Sequence, residues 1–208
     1  MKKIFISCVS SEFKTLRIDA ALALKGGLYE PVFQEDFNFE PTSLKESLRK
    51  KIKSCVGIIH IVGDGYGAEF PTNDPECNPN GNISYTQWEL RLVEEMNRKS
   101  FRKKGIWLIF PGDDCTRDTA IERLDWVDHP DLTHAEATQI QEWRRHLQIT
   151  YKDELYAQRS QYAYRTPQND REFKKVLETI VKKEHSRQVK AVMPDSMGDF
   201  RLRLSRLM

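Results

Sequence analysis

Three short apolar runs constrain the fold of this chain more than any other feature: residues 3–9 (KIFISCV), 56–62 (VGIIHIV) and 106–110 (IWLIF). Runs of this length with almost no polar interruption are the pattern of strands buried on both faces. A weaker run, residues 29–33, follows the Gly26-Gly27 pair. Between the runs lie helical patterns. Phe13, Leu16, Ala20 and Leu24 fall at helical spacing, as do Leu44, Leu48 and Ile52. Ser10 and Ser11 are suited to capping the first helix, and Ser43 with Glu46 makes a capping box before the second. A third helix is expected over residues 86–97. A longer one begins near His134, with Ala137, Ile140, Trp143 and Leu147 on one stripe, and a last starts near Asp170.

Strands alternating with helices imply parallel strands, right-handed crossovers and helices on both faces of the sheet. The expected fold is therefore α/β, a flavodoxin-like doubly wound parallel sheet of order 2-1-3-4, with a short fifth strand near residues 162–164. One domain over residues 1–184 is expected, carrying a helical insertion at about 115–160, with 185–208 as a linker or tail. At 208 residues the chain can bury a core without a disulfide or metal staple. Lys+Arg 33 against Asp+Glu 31 leaves a net charge of +2, little for a dedicated nucleic-acid binder. Arg201, Arg203 and Arg206 alternate with leucines near the C-terminus and read as a solvated tail. Cys8, Cys55, Cys77 and Cys115 form no CxxC pair, and no histidine stands at zinc-finger spacing. The N-terminal apolar run is too short for a signal peptide, and nothing approaches the roughly 20 apolar residues of a membrane span. A cytoplasmic domain with no metal and no cofactor is the expectation.

In such sheets ligands bind beyond the carboxyl ends of the strands. That rule selects residues 7–11, 34–41, 63–83 and 111 onward. The run Gly63-Asp64-Gly65-Tyr66-Gly67 permits close backbone approach, yet it lacks the lysine and hydroxyl residue of a P-loop. It reads equally as a tight turn and as a ligand contact. In residues 84–90 (SYTQWEL), Thr86 and Glu89 fit a capping box. Glu89 also heads the stripe Leu92, Val93 and Met96, which would turn its carboxylate toward the sheet and partly desolvate it. Spacing by itself favours the cap. His60 reads as a core residue, the other histidines are dispersed, and Asp113 and Asp114 suit a turn.

The blocks KIFISCVSSEFKTLR, VFQEDF, IIHIVGDGYG and SYTQWEL, in this order over roughly the first 110 residues, resemble TIR-like domains at the head of large bacterial signalling and defence ATPases. Gln87 stands where such domains often carry an acid, and the loop before Ser84 is longer and rich in Pro and Asn. The resemblance implies NAD as substrate, cleaved at the nicotinamide–ribose bond, with Glu89 as the catalytic carboxylate. It further implies Ser7, Ser10, Phe37, Tyr66 and Trp88 as pocket walls, self-association through TIR-like surfaces, and a C-terminal ATPase or sensor in a longer chain. Two alternatives stand beside it. One is a non-catalytic domain for homotypic assembly; the other is a nucleoside deoxyribosyltransferase-like enzyme, which also uses a glutamate at an N-glycosidic bond.

Overall fold

The computed structural model describes residues 1–34, 44–70 and 82–192, with side chains through Glu184. Five strands form one sheet: β1 (Lys2–Ser7), β2 (Tyr29–Val32), β3 (Gly57–Ile61), β4 (Gly105–Ile109) and β5 (Ala163–Arg165). Their order is β2-β1-β3-β4-β5, and every neighbouring pair is parallel. Five helices connect and follow them: α1 (Ser10–Gly26), α2 (Leu44–Ser54), α3 (Tyr85–Lys99), α4 (His134–Ala157) and α5 (Asp170–Val192). The flavodoxin-like expectation holds, including the short fifth strand. The backbone of α5 stays helical seven residues beyond His185, where the apolar pattern fades.

Strand alternation divides the core in two. Ile4, Ile6, Ile59, Ile61, Trp107 and Ile109 face α1 and α5, joined there by Leu16, Leu24, Phe173 and Leu177. Phe5, Ile58 and Leu108 face the other way, against Leu48 and Ile52 of α2, Leu92 and Val93 of α3, and Tyr151 and Leu155 of α4. Ser7 and His60 share this second side by strand parity, and they are register partners on β1 and β3. That register places two polar side chains next to each other inside an apolar layer.

Two local expectations change. The start of α1 has Val9 as its N-cap and no side-chain cap; the Ser10 hydroxyl instead accepts a bond from Arg17 at 2.6 Å. In α4 the buried residues are Ala137, Gln141, Gln148, Tyr151 and Leu155, whereas Trp143 is exposed. The helix is rotated away from its most apolar stripe because it packs on loop backbone as well as on the sheet. Gln141 donates to the carbonyls of Glu122 and Leu124 at 2.9 and 2.7 Å, and Gln148 donates to that of Gly63 at 2.8 Å. Buried carbonyls need donors, and glutamines on the inner face supply them. The expected box Ser43–Glu46 lies outside the described residues. A different one, Thr133 with Glu136, starts α4.

Candidate functional site

The first turn of α3 carries the central group. The chain is held extended up to Ser84 by the bond from Phe70 N–H to the Ile83 carbonyl and by a bridge between Glu69 and Ser84. Helix therefore begins at Tyr85, and the Ser84 hydroxyl caps it by accepting from Gln87 N–H at 3.3 Å. The expected box of Thr86 with Glu89 does not form, since Thr86 is already inside the helix. Glu89 turns inward, 3% exposed, and accepts a 2.5 Å hydrogen bond from the Ser7 hydroxyl at the end of β1.

That bond is one link of a buried chain. His60 Nδ1 lies 2.9 Å from Ser7 Oγ, and the Tyr151 hydroxyl lies 2.9 Å from His60 Nε2. The one proton of Ser7 is spent on Glu89, so Ser7 Oγ accepts from His60 Nδ1–H. Burial pulls the imidazole pKa down to about 3, so the ring is neutral and its bare Nε2 accepts from Tyr151. The Tyr151 phenol is pushed up by burial and keeps its proton. All the donors thus point one way, Tyr151 to His60 to Ser7 to Glu89, and the positive ends of these bond dipoles are directed at the carboxylate.

The glycine run after β3 is closed to a phosphate by the protein's own acids. Glu12, fully buried in α1, accepts from the amides of Asp64 and Gly65 at 3.1 and 2.8 Å. Asp125 accepts from those of Tyr66 and Gly67 at 2.7 and 2.9 Å. Four successive amides are therefore filled by two carboxylates. Gly63 is required by this packing: a Cβ there would stand 2.1 Å from Glu12 Oε2. Gly67 has φ +84, a backbone that other residues adopt only under strain. Arg117 pairs with both Glu12 and Asp64 at 3.1 Å, and Lys152 reaches Asp64 at 2.5 Å. Burial raises the Glu12 pKa against the pull of the Gly65 and Asp64 amides and Arg117. Asp64 is raised by burial but lowered overall, because Lys152 and Arg117 outweigh it.

Beside these two arrangements a cavity of about 390 Å³ opens at the carboxyl edge of the sheet. Its walls include Cys8 and Ser10 after β1, Tyr85 and Thr86 of α3, and Arg123 and Trp126 of the segment after β4. Glu89 does not line it. Being three and four residues beyond Thr86 and Tyr85, and bonded to the residue before Cys8, it lies directly under the floor. Of the expected pocket residues, Ser10 is on the wall and Ser7 is beneath it with Glu89. Tyr66 is fully buried near Trp143, ring centroids 6.3 Å apart, and its hydroxyl has no hydrogen-bond partner among the described residues. Trp88 sits in the core against Phe70, centroids 5.0 Å apart, under Arg49. Phe37 lies outside the described residues. Among the described residues no group of three His, Cys, Asp or Glu side chains is arranged to hold a metal, and no helix is long and apolar enough to cross a membrane.

Residues 3–107, half of the 208-residue chain, match the family described as "Domain of unknown function (DUF4062)". The chain belongs to the DUF4062 family. No curated protein matches it. The DUF4062 segment ends within β4, so it contains Ser7, Glu12, His60, the glycine run and Glu89. Tyr151, Gln148, Arg117, Asp125 and Arg123 all come from beyond it. Half of the site's polar structure is therefore supplied by the segment that follows the family match. Sequence reasoning missed Glu12, Asp125 and Tyr151, whose partners lie 53, 58 and 91 residues away. The one available signal was the glycine run without a lysine, which already argued against a P-loop.

Proposed function

We propose that this chain is a TIR-like NAD nucleosidase, cleaving the nicotinamide–ribose bond as an assembly-activated module. The observation that carries the reading is the Ser7–Glu89 hydrogen bond, which seats a desolvated carboxylate under a cavity at the ligand edge of a parallel sheet. In the reaction the C1′–N bond breaks and its electron pair leaves on nicotinamide, turning the pyridinium into a neutral ring. The ribose carbon becomes oxocarbenium-like. A carboxylate below it stabilises that charge until water adds to C1′ and releases a proton, or until an adenine nitrogen closes a cyclic product. The Ser7 hydroxyl, itself fed by His60 and Tyr151, aims a donor at Glu89 and aligns it for this role. At 3% exposure Glu89 must part from Ser7 to meet the ribose, and self-association is the proposed trigger.

Incubating concentrated or artificially clustered protein with NAD and following nicotinamide release tests the reading. Turnover lost in Glu89→Gln is the expected result; no turnover in any assembled state overturns it. A second reading, a non-catalytic assembly domain, is favoured by the burial of the same carboxylate behind Ser7. It predicts concentration-dependent association that Glu89→Gln leaves intact, with no NAD consumed.

A further inference from the structure

Two stretches of this chain carry charge of one sign only. Residues 98–104 (RKSFRKK) hold five bases and no acid. Residues 124–143 hold Asp125, Asp128, Asp131, Glu136 and Glu142, and neither lysine nor arginine. The Asp125 carboxylate is turned into the glycine run, whereas the other four acids are exposed. Arg144 and Arg145, which follow, are committed to Glu69 and to loop carbonyls.

The basic stretch forms a braced knob at the amino edge of the sheet, between α3 and β4. Lys104 N–H donates to Asn97 Oδ1 at 2.7 Å and Asn97 Nδ2 donates to the Lys104 carbonyl at 3.0 Å, which closes the loop on itself. The Lys104 ammonium reaches the carbonyls of Lys53 and Cys55. The fixed loop holds Phe101 wholly in solvent, and Arg102 beside it has no ion pair among the described residues. A single exposed apolar side chain is ordinary on a surface. One held out on a fixed loop amid cations has the form of an interface anchor. The acidic stretch surrounds a groove of about 360 Å³ on the outer face of α4, lined by Leu132, Glu136, Gln139, Ile140 and Trp143. Trp143 is 39% exposed there, on the apolar stripe of α4 that the sheet leaves uncovered. Knob and groove do not meet within one molecule. Gln158, at the end of α4, lines a pocket with Lys103, and Ile140 lies about 27 Å back along that helix at about 1.5 Å per residue.

We propose that the Phe101 knob of one copy seats in the α4 groove of the next, so that this chain associates head to tail with itself. Phe101 is the apolar plug, and Trp143 with Ile140 is its socket. The cations around the plug face the acids that rim the groove, which fixes the orientation and speeds encounter. Because knob and groove are different surfaces, the contact is heterologous, and each added copy leaves one of each unfilled. Growth therefore gives rings or open chains rather than a closed dimer. A seated copy grips the outer face of the helix whose inner face holds Gln148 on the Gly63 carbonyl and Tyr151 on His60, the head of the donor chain to Glu89. The inference rests on self-association as the trigger in the nucleosidase reading and names the surfaces that trigger uses.

Sedimentation velocity of the full chain over a concentration series reads the contact without using turnover. The parent is expected to form species larger than a dimer, which shrink as salt rises. Phe101→Ser, at a fully exposed side chain, should weaken association at least about tenfold. Trp143→Ala should do the same, and Glu142→Arg repeats the groove test at an exposed residue. Each variant alone is expected to stay monomeric. An equal mixture of Phe101→Ser with either groove variant should nevertheless give a dimer and nothing larger, because one intact knob still meets one intact groove. A parent that stays monomeric throughout, association unchanged in Phe101→Ser, or mixtures that form no dimer would overturn the pairing. So would Phe101-dependent binding of a monomeric chain to phosphatidylserine vesicles, which would assign the knob to a lipid surface. Head-to-tail assembly with no NAD consumed upholds the pairing and sinks the nucleosidase reading.

Discussion

Glu12 and Glu89 are both buried carboxylates at the carboxyl edge of the sheet, one on the α1 side and one on the α3 side, yet their surroundings differ in kind. Glu12 is held by two backbone amides and by Arg117, an ionic arrangement that ties the glycine run to α1 and to the segment after β4. Glu89 meets the neutral hydroxyl of Ser7, itself fed by a neutral imidazole and a phenol. A carboxylate pinned by a charge and two fixed amides is a fastener. One that meets a side-chain hydroxyl able to rotate away can be released to a substrate.

If that contrast is right, the two residues separate on stability. Glu12→Ala leaves two amides unpaired in the interior and takes from Arg117 one of its two carboxylates, and should cost about 3–5 kcal/mol in urea unfolding. A loss below 1 kcal/mol would erase the distinction. The neutral side is probed next by pH. The His60 pKa falls from 6.5 unfolded to about 3 folded, so the unfolded chain binds the extra proton. Stability from His60 is full above pH 6.5 and is lost as pH falls toward 3. Between pH 7 and pH 5 unfolding free energy should drop by about 2 kcal/mol on this account. Acidic groups add their own slopes, so comparison with His60→Gln isolates the contribution.

Removing the head of the donor chain, Tyr151→Phe, should cost about 1–1.5 kcal/mol. The ¹⁵N shifts of His60 should report an Nδ1–H tautomer in the parent; an Nε2–H ring would reverse the chain and detach it from Glu89. The smallest effect is expected at the most important residue. Glu89→Gln retains an oxygen to accept from Ser7 and sheds a buried charge, so its stability should change by less than about 1 kcal/mol. A loss as large as that of Glu12→Ala would make Glu89 a fastener too.

The strands were legible because a strand covered on both faces must be apolar at nearly every position, and KIFISCV, GIIHIV and IWLIF carry that requirement locally. Sheet order followed from alternation and handedness. The start of α3 was not legible, since Ser84 with Gln87 and Thr86 with Glu89 both fit capping spacing. The extended pairing through Ile83 and Ser84 chose the first. The inner face of α4 was also hidden. Its glutamines are buried because folding brings loop carbonyls to them, and no periodicity in the helix encodes that demand.

The sequence by itself determined the layered α/β architecture and singled out Glu89 as a carboxylate facing inward, because burial of apolar faces is a property each segment declares for itself. Only the tertiary structure decided what each acid does. Whether a carboxylate caps a helix, fills a glycine run or waits beneath a cavity depends on donors contributed by chain as much as 105 residues away, as Arg117 is from Glu12. Hydrogen bonds act over about 3 Å, and which groups come that close is settled when the layers pack.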